Sequence, residues 1–146
     1  MIKVRIPATT ANIGSGFDVF GMAFQFYNYV SIEKGTGLDI QIMGESNAFL
    51  ADPDHNLVIK AAKEVFAKAE EPFTDLAFLF ENNIPVTRGL GSSAAAIVGG
   101  VVAANAYLGC PFAKKDLFQM AVSLEGHPDN IAPALFGGFT VSLKNK

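Results

Sequence analysis

Pro85-Val86-Thr87-Arg88-Gly89-Leu90-Gly91-Ser92-Ser93-Ala94-Ala95-Ala96 is a glycine-bearing loop that runs straight into an alanine-rich helix. Before it, Leu76, Phe78 and Phe80 alternate with Asp75, Ala77 and Leu79, the period of a strand. After it, residues 94–108 carry almost no polar side chain, so this helix should lie buried at the centre of the fold. Ser92 or Ser93 is expected to cap its start, and Gly109 and Pro111 to end it. Such a junction leaves the first backbone N–H groups of the helix without intrahelical partners. It aims them, with the positive end of the helix dipole, into the loop. The expected result is an anion site, and the phosphates of a nucleotide are the leading occupant.

Toward the N-terminus, Ile2, Val4 and Ile6 share one face of a first strand and Lys3 and Arg5 the other. Pro7-Ala8-Thr9-Thr10-Ala11-Asn12-Ile13-Gly14-Ser15-Gly16-Phe17-Asp18 is small and polar, with two glycines two apart. It reads as a loop whose backbone passes close to something. From Phe24 to Glu33 aromatic and β-branched residues predict a strand. Gly35 and Gly37 mark a turn, and Leu38, Ile40 and Ile42 alternate with Asp39 and Gln41, which predicts a hairpin partner. Asp52-Pro53-Asp54 forms a turn. Asn56 then caps a helix in which Leu57, Val58, Ala61, Ala62, Val65, Phe66 and Ala69 recur at helical spacing, stopped by Pro72.

Toward the C-terminus, Leu117, Met120, Ala121 and Leu124 define an amphipathic helix that reaches Glu125, with Gly126 and Pro128 breaking it. Residues 129–136 read as a short helix or turn. Gly137-Gly138 leads into a last strand with Phe139, Val141 and Leu143 on one face. No repeat, low-complexity tract or linker interrupts this order, and its mixture of strands and helices predicts an α+β fold.

The chain has 146 residues, enough for one domain with a core, and half of them are hydrophobic, which argues against a disordered chain. A net charge of −3 with no basic cluster argues against a nucleic-acid partner but does not oppose one small anion. Cys110 is the one cysteine, so no internal disulfide forms, no Cys/His metal spacing exists, and a small buried hydrophobe is the expected role. The alternating start is not expected to be a secretion signal. The longest apolar region is shorter than a bilayer span and contains Gly99, Gly100 and Asn105, so no membrane association and a cytoplasmic location are expected.

Three stretches can carry chemistry. The loop lacks the Gly-Lys-Ser/Thr ending of a Walker P-loop. Gly89-x-Gly91-x-x-Ala94 fits the permissive dinucleotide fingerprint, but several loop residues precede Gly89 and helix occupies the place of the second strand, which demotes that reading. Alone, the glycines and alanines are equally explained by close packing, and Arg88 by either a phosphate contact or solvent. Residues 12–18 alone read as a turn with a capping aspartate. Glu125-Gly126-His127-Pro128-Asp129-Asn130 reads as a solvated helix end, yet it also offers a carboxylate for Mg2+ and polar groups for an acceptor hydroxyl, which phosphoryl transfer needs.

Together the three resemble the GHMP small-molecule kinases. Gly89-Leu90-Gly91-Ser92-Ser93-Ala94-Ala95 looks like that family's phosphate loop. Residues 7–18 with Gly21-Met22-Ala23, and His127-Pro128-Asp129-Asn130 followed by Gly137-Gly138, look like its homoserine-phosphorylating branch. The resemblance runs through the whole chain and implies an α+β fold with a mixed or antiparallel sheet and helices on one face. It implies ATP and Mg2+ as cofactors and transfer of phosphate to the hydroxyl of L-homoserine, a step of threonine biosynthesis. Pro85, Val86, Thr87, Arg88, Gly89, Leu90, Gly91, Ser92, Ser93, Ala94 and Ala95 would hold ATP, with Asn56 and Leu57 at the adenine. Ser93 and Glu125 would bind the metal.

By the same resemblance, Asn12, Asp18 and Asn130 would hold the acceptor, with Asn130 and His127 at the reacting hydroxyl and the existence of a general base left open. A homodimer is one expectation for the assembly. Ser15 stands where the family commonly has proline, and Thr87 where it has glycine or another small residue. Residues 1–146 correspond to the family's N-terminal ATP-binding domain, and the second, C-terminal domain is expected to be missing from this chain. The alternatives are another kinase of the family, such as one acting on mevalonate, and a catalytically incomplete nucleotide-binding fragment.

Overall fold

The computed structural model describes residues 1–45 and 52–143, with the side chains at 16–18 left out, so the Asp18 carboxylate lies outside the described atoms. In chain order the elements are β1 (Ile2–Ile13), β2 (Gly16–Lys34), β3 (Leu38–Gly44), α1 (Leu57–Lys68), β4 (Leu76–Asn82), α2 (Ser92–Tyr107), α3 (Lys114–Glu125), α4 (Pro128–Phe136) and β5 (Phe139–Val141). The α+β expectation is met, with a mixed sheet in the order β1-β2-β4-β3 and β5 paired to β2.

Two expectations about the sheet are overturned. Residues 7–13 are not a loop but the second half of β1, because the long β2 offers them a partner: Thr9 lies opposite Ala23, Thr10 opposite Met22 and Ala11 opposite Gly21. Polar, small residues satisfy a ladder as well as apolar ones do when the partner backbone is present. β3 is not the hairpin partner of β2. It runs parallel to β4, from Leu38 opposite Leu76 to Gly44 opposite Asn82, while β4 takes the place beside β2 and runs antiparallel to it. Alternation predicts a strand and a buried face but does not choose the neighbour.

Ile6, Val30, Ile32, Phe78 and Phe80 line the inner face of the sheet and are almost fully buried. On the outer face Lys3 lies 4.8 Å from the centre of the Tyr29 ring and pairs with Glu81, and Arg5 lies 4.5 Å from the Tyr27 ring centre. α2 and α4 lie against β1 and β2, and α1 and α3 pack on α2. α2 is therefore surrounded, as its all-round apolar sequence requires. Two adjacent glycines allow this fit. A Cβ at Gly99 would lie 2.7 Å from Val30 Cγ2, and one at Gly100 2.4 Å from the Val58 carbonyl oxygen, so one glycine admits the sheet and the other admits α1. Asn105, polar within this helix, donates to the Phe112 carbonyl and accepts from the Phe112 N–H, which ties the end of α2 to the next connection.

Helix boundaries follow local chemistry. The Asn56 side chain accepts from the Val58 and Ile59 N–H groups and caps α1, as expected. Residues 128–136 are a helix, begun by Pro128 in the first turn, where its missing N–H is no loss. Cys110 is exposed, not buried, because the chain has already left the core at Gly109. The last strand is only Phe139–Val141, and Leu143 lies beyond it. Among the described residues no helix is long and apolar enough to cross a membrane.

Candidate nucleotide site

β4 ends at Asn82, and the next residues are clipped to β2. The Asn28 Oδ1 accepts from the Asn83 and Ile84 N–H groups at 2.7 and 2.8 Å, and Asn83 Nδ2 donates to the Tyr27 carbonyl. From this fixed start the chain turns through three residues in the left-handed region, Thr87 at φ 60°, Gly89 at 69° and Gly91 at 67°. Glycine accepts such angles freely, whereas the β-branched Thr87 is strained there. Arg88 is exposed on the loop.

Gly91, not a serine, is the N-cap of α2, and no side chain caps the helix. Ser92 and Ser93 are already helical, so neither has the extended geometry that lets a hydroxyl reach back to the N–H groups. The first turn also carries no acidic residue of its own. The first N–H groups of the central helix thus remain for an anion at the loop.

The Ser93 hydroxyl donates instead to Glu125 Oε2 at 2.8 Å. Glu125 is the last residue of α3, and Gly126, at φ 92°, turns the chain away immediately after it. The two residues expected to bind Mg2+ are therefore in contact at the mouth of the loop. Among the described residues no group of three or more His, Cys, Asp or Glu could hold a metal. A hydroxyl plus one carboxylate suits a cation that takes the rest of its oxygens from water and phosphate, so this pair fits Mg2+ brought with a nucleotide.

Asn130, in the first turn of α4, comes to the same place from the other side. Its side-chain Oδ1 accepts from the Thr9 hydroxyl at 2.8 Å, and its N–H donates to the buried Asp129 carboxylate at 2.9 Å. Thr9 is fully buried, and its N–H donates to the Leu90 carbonyl at 3.0 Å. The register of β1 against β2 shifts between Pro7 and Thr9, and the consecutive Ala8 and Thr9 are both buried there. A bulge of this kind re-aims a side chain. Thr9 was not singled out from sequence. Its position inside the first motif was the available signal, but a threonine in a supposed loop gave no reason to prefer it to Thr10.

Asn12 lies three residues further along β1, exposed and at φ 59°. His127 is exposed at the N-cap of α4, and its side chain makes no capping bond.

Beside the loop lies an open cleft of about 500 Å3. Leu57, Val58, Phe80, Ile84 and Val86 form its apolar walls, and Asn28, Ser92 and Ser93 stand among its polar groups. The cleft thus combines apolar walls with the start of α2. Leu57 lines it, whereas the Asn56 side chain is buried and engaged in capping α1. His55 also lines the cleft, and its ring bonds to Asp52, which together with the Asp54 N–H holds the Asp52 carboxyl below its ordinary value. A second concavity, about 550 Å3 between α1 and α3, is lined by Glu64, Lys68 and Asp116 and is away from the loop.

The dinucleotide alternative does not survive the topology. The element after α2 is α3 rather than a strand, and the parallel partner of β4 is β3, which precedes the loop instead of following the helix.

The sequence model of the GHMP kinases N terminal domain matches residues 56–138, more than half of the chain. A homoserine kinase of Carboxydothermus hydrogenoformans is 50% identical over 143 residues, which make up 97% of this chain and 47% of that protein. One of Moorella thermoacetica is 46% identical, over 99% of this chain and 49% of its own length. The crystal structure of homoserine kinase from Cytophaga hutchinsonii superposes with a TM-score of 0.82 at 33% identity, over 96% of this chain and 47% of that one. The chain spans about half the length of the relatives it matches.

Proposed function

This chain belongs to the GHMP kinases, whose N-terminal domain it carries, and from that premise we propose that it binds MgATP for phosphoryl transfer to the hydroxyl of L-homoserine. The observation that carries the reading is the Ser93–Glu125 pair at the start of α2, set between a glycine-rich loop and an apolar cleft. The adenine would enter the cleft along Leu57 and Val86, which leaves the triphosphate toward residues 87–95. There, backbone N–H groups and the helix dipole meet negative charge without a lysine. Ser93 and Glu125 would hold Mg2+, which when bound neutralises charge on the phosphate oxygens.

The acceptor reading draws on the relatives, which are homoserine kinases, and on the chemistry of the residues present. Homoserine presents an ammonium group, for which Asp18 and the Asn12 carbonyl are acceptors. Asn130 would orient the reacting hydroxyl. Transfer of a phosphoryl group depends mainly on positioning and charge stabilisation, so a hydrogen-bonding amide is a sufficient group at this place. His127 lies near in sequence and is the second candidate for contact with the acceptor.

The test is ADP release by the product of the complete reading frame containing these residues, with homoserine, mevalonate and galactose as acceptors. Homoserine alone should support turnover. Turnover with mevalonate and none with homoserine would overturn the acceptor, and absence of MgATP binding would overturn the whole reading.

A further inference from the structure

We infer that Thr9 is a positioning residue that fixes which end of the Asn130 amide faces the acceptor, an inference that rests on the kinase reading of this site. Three observations meet at this one residue. Its hydroxyl is fully buried and donates to Asn130 Oδ1 at 2.8 Å. Its own backbone N–H is engaged with the Leu90 carbonyl, so residue 9 is held to the phosphate loop independently of the side chain. A Cβ at Gly91 would lie 2.0 Å from the Thr9 Oγ1 and 3.3 Å from Asn130 Oδ1, so the glycine at the helix cap provides the space in which the bond forms.

An asparagine side chain can present either its carbonyl or its NH2 group in one direction, and only its hydrogen-bond partners decide between them. A hydroxyl that donates to Oδ1 turns Nδ2 away from Thr9 and leaves two N–H donors for the oxygens of the acceptor or of the transferring phosphate. The backbone of Asn130 is pinned as well, through its N–H and the Asp129 carboxylate. Thr9 thus sets the rotation of the amide, the remaining degree of freedom. Through Leu90 and Gly91 it also joins the acceptor side of the site to the nucleotide side.

Thr9→Val keeps the volume and the backbone bond to Leu90 but removes the hydroxyl. In the product of the complete reading frame, kcat with homoserine should fall about 10- to 30-fold, as one lost hydrogen bond at the reacting group implies. The KM for MgATP should stay within about twofold, because the backbone contact to the loop survives. Thr9→Ser should restore kcat to within about threefold of wild type. Asn130→Asp preserves an acceptor for Thr9 but deletes the N–H donors, so it should be slow despite an intact Thr9 bond.

In this chain alone, the side-chain amide NMR signals of Asn130 should move in Thr9→Val and return in Thr9→Ser. A kcat within about twofold of wild type in Thr9→Val, or a kcat loss matched by an equal loss of MgATP affinity, would overturn the proposal. Unmoved Asn130 amide signals would do so even if no variant were assayed for turnover. Failure of the wild type to release ADP would instead strike the kinase reading, while the amide signals would still decide the Thr9–Asn130 link.

Discussion

Gly91→Ala is the sharpest perturbation of the junction between loop and helix, and its size follows from two separable terms. The first is backbone strain. Gly91 has φ 67°, and an alanine held in the left-handed region costs about 1–2 kcal/mol. The second is contact. The new Cβ would fall 2.0 Å from the Thr9 Oγ1, so the hydroxyl must move away from Asn130. Thr9 is fully buried, and leaving its hydroxyl without a partner costs about 1–3 kcal/mol. The total is about 2–5 kcal/mol, which lowers Tm by roughly 5–15 °C for a chain of this size.

Gly89→Ala supplies the control. Its φ is 69° but nothing lies within 4 Å of the added carbon, so it should show the strain alone, about 1–2 kcal/mol. Urea or thermal unfolding followed by circular dichroism reads both. The difference should shrink in a Thr9→Ala background, because the clashing atom is gone and neighbouring substitutions couple. Equal destabilisation by Gly91→Ala and Gly89→Ala, in a background where Thr9 is intact, would refute the reasoning.

Other consequences are as direct. Glu125→Gln should raise the Mg2+ concentration needed for ATP binding about 10-fold or more, and Ser93→Ala by less, since a charged oxygen contributes more than a neutral one. An unchanged Mg2+ dependence in calorimetric titrations of both variants would contradict the assignment. Thr87→Gly should stabilise the fold by roughly 0.5–1 kcal/mol, the strain released at φ 60° less the greater freedom of glycine in the unfolded chain. A decrease in Tm would count against it. Asp52 is held below its ordinary pKa of 3.8 chiefly by the His55 bond, so its contribution to stability is present above that value and is lost as pH falls through the lowered one. His55→Ala should return the Asp52 midpoint toward 3.8 in a carboxyl-carbon NMR titration, and an unmoved midpoint would show that the ring bond is not the cause.

What the sequence made legible was mostly what periodicity encodes. The burial of α2, the cap at Asn56 and the alternation of β4 all depend on local spacing, and the structure has them. Partner choice was not legible. β3 pairs with β4 rather than β2, and residues 7–13 become strand only because β2 is long enough to receive them. The site shows the same division. Ser93 and Glu125 were both identified, and they meet because α3 ends where α2 begins. Thr9 was passed over because its importance lies in a bulge and in the empty space above Gly91, neither of which a single sequence displays. The serines do not cap for a similar reason: the loop enters the helix through a left-handed glycine, which puts Ser92 one position and Ser93 two positions past the cap.

The central claim is that the start of α2 and its loop hold a nucleotide triphosphate. Titrating the 15N-labelled chain with MgATP tests it most directly. Saturable amide shifts are expected at residues 87–95 with Val86 and Leu57, dependent on Mg2+ and not reproduced by NAD. Shifts elsewhere with this segment unmoved, or tight NAD binding with none for ATP, would contradict it.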